Sequence, residues 1–436
     1  MPRRFSSLSR STIHGIGLVG LGFSLLIGSA LAAAQPSTTT PRPAPVQAVP
    51  YEPLVLRIEA DRQQWTLNGE ILLLGLTGNR RDINVDRPVY RTEPFKIDAA
   101  VIAYPIPTDT AFTVMDDSLT ESRLQIGDDE IQGEPRLLDG YQSGQRLLVW
   151  DAKNIQAKSL RLSVQTSMQA FKTVIDEERA FAVDWPKQEL PEALNSSLGS
   201  QLYVEADAPE IARLVEVWTN GNAKRVKPYY LAKHLASKVI EWYQPSEGPY
   251  LADRDSDIFK STAGGAAMTA GYNVRGAVWA AREQRGSNLD MANLLCAVYR
   301  AAGIPARVVI GYDHEAQRED NRPPVIAWVE FFLMVDQENQ RGEWIPVDII
   351  RQREFASRAP DVTRSWKYFG NHDLSQNYSV ISFHWHPPTT VVNSGPPAFW
   401  GWLPKPSAPN VDQGVRFHAF ATPMTAERQR RQREGR

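Results

Sequence analysis

The strongest pattern of apolar and polar positions lies between residues 286 and 312. Leu289, Ala292, Cys296 and Tyr299 recur at helical spacing, and Leu294, Leu295 and Val298 fill the other faces. A helix apolar nearly all round belongs in a core. Ser287 or Asn288 can cap its N-terminus, and Asp290 falls in the positive first turn. Gly303 fits the left-handed position after the last turn, and Pro305 forbids continuation. Val308 to Ile310 then reads as a short buried strand.

Upstream, residues 51–185 alternate in short runs separated by turn signals. Leu54 to Ile58 and Ile71 to Leu74 read as strands broken by Asn68-Gly69 and Gly78-Asn79. Ala99 to Tyr104 ends at Pro105, and Leu147 to Trp150 and Leu160 to Val164 follow. Several such strands predict a β-sandwich. Its acids, Asp116-Asp117 and Asp128-Asp129-Glu130, lack the alternating oxygen spacing of a calcium loop and read as turn acids.

Residues 186–390 change period. Asp207 as N-cap, Pro209 in the first turn and Glu210 as a capping-box partner start a helix with Ile211, Leu214, Val215 and Trp218 on one face. A second helix runs from about Tyr229 to Tyr243, and a third from about Val274 to Glu283. After the central helix, Ile326, Trp328, Glu330 and Phe332 share one face of a strand, and Trp344, Pro346 and Asp348 one face of the next. Antiparallel pairing of these two strands would bring Ile326 near Asp348. Residues 391–436 are Pro-rich, with Phe399-Trp400-Gly401-Trp402 as a cover for the domain or a docking patch.

Composition changes this picture little. The chain has 436 residues, room for two domains, with 42% apolar and 22% charged content. A net charge of −2 gives no global basic field for nucleic acid. The basic run from Glu427 to Arg436 reads as a solvated tail.

The N-terminus adds a compartment. Arg3, Arg4 and Arg10 precede an apolar stretch from Ile16 to Ile27, and cleavage is expected after Ala32 or Ala34. Residues 1–34 are therefore expected to be a signal peptide, and 35–50 a Pro/Thr-rich linker. The apolar stretch is short for a span of about 20 residues, so an uncleaved anchor is the lesser alternative. The expected location is periplasmic or secreted, with no stable membrane span after cleavage. A single cysteine, Cys296, allows no intramolecular disulfide.

The central stretch resembles the transglutaminase-like superfamily, whose members share a papain-like arrangement. Arg300-Ala301-Ala302-Gly303-Ile304-Pro305-Ala306-Arg307 and Gly311-Tyr312 carry the resemblance, with Ala327-Trp328-Val329-Glu330, Trp344-Ile345-Pro346-Val347-Asp348 and Tyr368-Phe369-Gly370-Asn371 downstream. It covers about residues 205–385. It implies an α+β fold, an N-terminal β-sandwich followed by a transglutaminase-like domain. It also implies a Cys, His and Asp triad, and here the sequence departs. The Cys position is Asn288, the His position is Ile326, and Asp348 alone keeps its residue type. The chemistry needs a thiolate at a helix N-terminus, an imidazole to activate it and a carboxylate to orient the imidazole. An amide is not a comparable nucleophile, and isoleucine accepts no proton.

No catalytic residue is therefore expected. Asn288, Trp328, Glu330, Asp348 and His314 are the candidates for lining the cleft. Asn288 holds a ligand amide or caps its helix. Asp348 orients something in the cleft or pairs with a nearby Arg, for which Arg307 is a candidate. Cys296 lies eight residues past the Cys position, ~12 Å along the helix, and reads as core. His384 and His386 form too small a set for a metal site, and His372 has no assignable place. No phosphate loop, dinucleotide fingerprint or nucleophile elbow appears, so no cofactor or metal is expected.

The expected function is an exported, non-catalytic relative that binds a peptide, protein or cell-envelope polymer, or serves as a structural partner. No nucleic-acid partner is expected. The alternative is a hydrolase or transferase with a rearranged site built on Asp348, His314 and Glu330. In a third reading, companion chains supply the catalysis and this chain positions them.

Overall fold

The computed structural model describes residues 51–77, 91–131, 133–250, 269, 271–316, 325–385, 397–408 and 411–421. The signal and linker expected before residue 51, the His386 position and the basic tail lie outside these residues. Glu52–Arg436 forms one compact unit.

The first half is strands: β1 (Val55–Thr77), β2 (Arg91–Thr92), β3 (Phe95–Ile106), β4 (Thr113–Met115), β5 (Glu121–Ile126), β6 (Asp129–Glu130), β7 (Arg136–Tyr141), β8 (Gln145–Ala157) and β9 (Ser159–Ile175). Then come helices α1 (Glu177–Ala182), α2 (Pro209–Thr219) and α3 (Pro228–Trp242), and the short strand β10 (Gln244–Glu247). They are followed by α4 (Ala277–Glu283), β11 (Arg285–Ser287) and α5 (Asn288–Ala301). Strands β12 (Ala306–Asp313), β13 (Val325–Asp336) and β14 (Arg341–Val347) lead into α6 (Ile349–Phe355). The chain closes with β15 (Tyr378–Ser382), β16 (Gly401–Lys405) and β17 (Val411–Ala421).

The first nine strands build two sheets, completed from the far end of the chain. One runs β17-β1-β9-β5-β6, with β2 and β4 on its flanks, and the other runs β16-β3-β8-β7. Their inward side chains, among them Ile71, Leu162, Ile102 and Trp150, share one buried core. The strand expected to break at Asn68-Gly69 does not break. β1 continues through it because Gly69 is a close-approach site rather than a turn: a Cβ there would lie 2.0 Å from the Tyr104 hydroxyl of the facing sheet. Proline fails as a stop as well, since β3 runs through Pro105 to Ile106. Phe399, Trp400 and Trp402 are fully buried, and Trp402 Nε1 donates to Gln413 of β17 at 3.0 Å. They cover the body of the protein, as core residues.

The second half is organised around α5. Every residue from Leu289 to Arg300 is buried, as its all-round apolar pattern requires. The end is built as expected: Gly303 takes φ +84, and Ile304 N–H reaches back to Tyr299 O at 2.9 Å. At α2, the expected capping box does not form. Ala208 is the N-cap, the Asp207 carboxylate accepts from Ser200 Oγ, and Glu210 pairs with Arg282. A four-stranded antiparallel sheet, β14-β13-β12-β15, packs on α5. Val308, Ile310, Val329, Phe331, Ile345 and Val347 face the helix side. Val309 and Trp328 face the other way, into a separate cluster with Phe112 and Met168 from the first half. Among the described residues no helix is long and apolar enough to cross a membrane.

Candidate functional site

The N-terminus of α5 is closed by a reciprocal cap. Ser287 Oγ accepts from Asp290 N–H at 3.1 Å, and the Asp290 carboxylate reaches back to the Ser287 N–H. Ser287 therefore takes the capping role that Asn288 could have filled. Asn288 is left half-buried at the first helical position, and its amide has no hydrogen-bond partner among the described residues. Asp290 does more than cap: it also accepts from Arg275 N–H at 2.7 Å and Gly276 N–H at 2.9 Å. Burial nevertheless pushes its carboxyl above the ordinary value.

On the sheet, Ile326 pairs with Gly311. Gly311 is required there, since a Cβ would meet the Trp328 ring and the Ser379 carbonyl, each at 2.6 Å. Ile326 is half-buried and packs against the cluster of Phe112, Met168, Val309, Trp328 and Tyr378. Trp65, Ala111 and Met115 join it from the first half. The position is apolar on its own strand and apolar in what covers it.

Asp348 follows β14, whose Val347 pairs with Val329, so strand register brings it level with Trp328, toward the Ile326 end of β13. It is 4% exposed and caps α6, with Oδ1 accepting from Arg351 N–H at 3.0 Å. Its Oδ2 faces His372 Nε2 and the Tyr378 hydroxyl, both at 3.2 Å. His372 Nδ1 lies 3.3 Å from Leu374 N–H and accepts from it, which fixes the tautomer: Nε2 carries the proton and donates to Asp348. The imidazole lone pair is thus already used. Arg351 donates through Nε to the Tyr378 hydroxyl at 2.6 Å and through Nη2 to the buried Asp313. Burial, then the Asp348 charge, push the Tyr378 hydroxyl well above the usual tyrosine range.

The other expected cleft residues do not open onto a cleft, although Trp328 packs 5.8 Å from the Tyr378 ring. Trp328 and Glu330 are 1% and 0% exposed, so neither lines an open cleft. Glu330 Oε2 pairs with Arg307 at 2.7 Å, and its Oε1 accepts from Ala111 N–H. Arg307, expected as a partner of Asp348, is thus committed to Glu330, and its guanidinium lies between Trp344 and Phe383 at 4.4 and 4.1 Å. The Arg beside Asp348 is Arg351. His314 stacks on Trp65 at 3.6 Å and meets Ser379 Oγ. The rearranged set of Asp348, His314 and Glu330 is therefore split among separate partners.

Cys296 is fully buried, and burial pushes its thiol up. His384 is buried, edge-on to Tyr141 at 4.8 Å. Asp117 pairs with Arg146, which holds its carboxyl below the ordinary value. Among the described residues no group of three or more His, Cys, Asp and Glu side chains comes together as a metal site. A groove of about 490 Å³ opens between α2 and α3, lined by Val217, Trp218, Asn220, His234, Lys238, Glu241 and Trp242. None of the expected cleft residues lines it.

The central helix, the turn after it and the three strands up to Asp348 form one stretch. Residues 233–349 match the transglutaminase-like superfamily model. The match lies inside the span of 205–385 expected from sequence and contains Asn288, Ile326 and Asp348. No curated protein matches the chain. Three of the solved structures that it resembles are as follows. A candidate cysteine protease from Cytophaga hutchinsonii is 14% identical, with 84% of this chain and 100% of that chain covered and a TM-score of 0.42. The periplasmic domain of TgpA from Pseudomonas aeruginosa is 12% identical, with 71% and 98% covered and a TM-score of 0.27. A candidate protease from Parabacteroides distasonis is 15% identical, with 54% and 42% covered and a TM-score of 0.21. The matched segment contains the helix–turn–sheet unit around α5. His372, 23 residues beyond the matched segment (372 − 349), is the residue that sequence reasoning missed at its site.

Proposed function

We propose that this is an exported transglutaminase-like protein that performs no thiol chemistry and acts by binding. Its ligand would be a peptide, a protein or a cell-envelope polymer, or a partner protein it positions. The observation that carries the reading is the environment of Asp348. A triad acid serves an imidazole whose second nitrogen is open toward the nucleophile. Here the one imidazole on Asp348 spends its second nitrogen on Leu374 N–H.

Two further features support it. Ile326, where the family resemblance puts the base, sits in an apolar cluster. Cys296, the single thiol, is sealed in α5. The periplasmic or secreted location rests on the N-terminal sequence pattern.

The test is turnover. The purified chain is incubated with a glutaminyl peptide and a primary amine, and ammonia release and peptide cleavage are followed. The reading expects no saturable activity above background. A saturable rate abolished by Asp348→Ala, in a variant that still folds, would overturn it in favour of a rearranged enzyme.

A further inference from the structure

Residues 107–112, between β3 and β4, cross to the transglutaminase-like sheet and are held there in an unusual way. Five main-chain groups are fixed by side chains, the first being Pro107 O, which accepts from Arg146 Nη2 at 3.0 Å. Ala111 N–H donates to Glu330 Oε1 at 3.0 Å. Arg57 donates to Ala111 O at 3.0 Å and to Thr110 O at 2.7 Å. Arg307 Nη2 donates to Asp109 O at 3.0 Å. Main-chain bonds run from Thr110 N–H to Thr113 O at 3.1 Å and from Phe171 N–H to Phe112 O at 2.9 Å.

Pro107, Thr110 and Phe112 of this segment are buried, and Phe112 is its one aromatic side chain. Phe112 is 0% exposed. Its ring lies 4.8 Å from Trp328, 5.9 Å from His372 and 6.1 Å from Tyr378. His372 and Tyr378 are the two side chains that hold Asp348 Oδ2. Charged side chains that grip the backbone, with one aromatic anchor in a pocket, make up the chemistry by which proteins take an extended peptide.

We propose that residues 107–112 are a built-in occupant of the transglutaminase-like sheet, with Phe112 plugging an aromatic-ring pocket over Asp348. The pocket takes a neutral planar ring the size of toluene, and its lid belongs to the same chain. The retained acid is sealed from outside ligands for as long as the segment stays in place. This inference goes beyond the non-catalytic reading and stands apart from it. Amide turnover would end that reading, whereas the plug is decided by access to Asp348.

The experiment is carboxyl labelling of the full chain with a water-soluble carbodiimide and glycine ethyl ester, mapped by mass spectrometry. The exposed Asp129 is the internal reference. In the unaltered protein Asp348 should label at least about tenfold more slowly than Asp129, as buried sites reached only by local opening do. Comparable rates would overturn the plug. In Phe112→Ala, Asp348 labelling should rise toward that of Asp129, and saturating toluene should suppress it again while raising the melting temperature. Continued protection without toluene, or no effect of toluene, would each contradict the proposal. Should Phe112→Ala fail to fold, Phe112→Leu removes the planar ring but keeps most of the volume. Its Asp348 should still label faster than in the unaltered protein, and an unchanged rate would count against the pocket.

Discussion

Arg307 and Glu330 stand directly opposite each other on β12 and β13, and the guanidinium reaches the carboxylate at 2.7 Å with both side chains almost fully buried. The pair is a fastener. Arg307 Nη2 also holds Asp109 O, and Glu330 also holds Ala111 N–H, so one buried ion pair ties the first half of the chain to the sheet. A charged pair this deep is costly to break, because the survivor is left uncompensated.

Arg307→Ala should therefore lose about 3–5 kcal/mol of stability. Arg307→Lys should also lose, though less, because an ammonium can neither fork onto Glu330 nor stack flat between Trp344 and Phe383. Chemical denaturation of the two variants checks the order. A lysine variant as stable as the parent would mean that charge alone matters.

The Asp348 site should behave as a structural unit. Removing one donor, by His372→Ala or Tyr378→Phe, should cost about 1–3 kcal/mol each. The two losses should not add, because both groups donate to the same oxygen, Oδ2. A double-mutant cycle by urea unfolding reads the coupling, and strict additivity would count against the shared site.

Asp290 gives a pH dependence of defined sign. Burial holds its carboxyl above the ordinary value of 3.8. Between 3.8 and the raised value the folded protein keeps a proton that the unfolded chain has released. Stability from this group therefore falls as pH rises through that window, and the loss is complete above it. Asp290→Asn removes the titration. The stability of the parent minus that of the variant should thus decrease with rising pH across the acid range. An increase would reverse the assignment.

Gly69 tests the packing of the two first-half sheets. Gly69→Ala drives a methyl group into the Tyr104 hydroxyl, and overpacking of this kind costs about 1–3 kcal/mol. Adding Tyr104→Phe should recover part of the loss. A melting temperature unchanged by Gly69→Ala would remove the close approach.

Local patterns in the sequence carried much of this. The central helix, its Gly303 end and the two strands that follow were legible because their periodicity and stop signals are contained within some 60 residues. So was the alternation that puts Trp328 and Glu330 on one face. What was hidden depends on distant chain. Gly69 reads as a turn until Tyr104 is placed against it. Arg307 reads as a partner for Asp348, and strand register gives it to Glu330 instead. His372 reaches Asp348 because its backbone bridges to Thr173 of β9, about 200 residues earlier. Its nearest local signal is the Tyr368 to Asn371 run, where Phe369 bridges to Val347 beside Asp348. Phe112 carries no motif at all, and only the tertiary fold shows what it covers.

The segment that matches the transglutaminase-like model carries one thiol, Cys296, and that thiol is buried. The direct measurement is the labelling rate of Cys296 by an aromatic disulfide, in the folded protein and again in denaturant. Cys296 is fully buried in α5 and its thiol is pushed up by that burial. Labelling should be slow when folded, immediate when unfolded, and accelerated by rising pH with no acidic thiolate step. Fast labelling of the folded protein, with a rate set by a thiolate present at neutral pH, would contradict the account and return the chain to the cysteine enzymes.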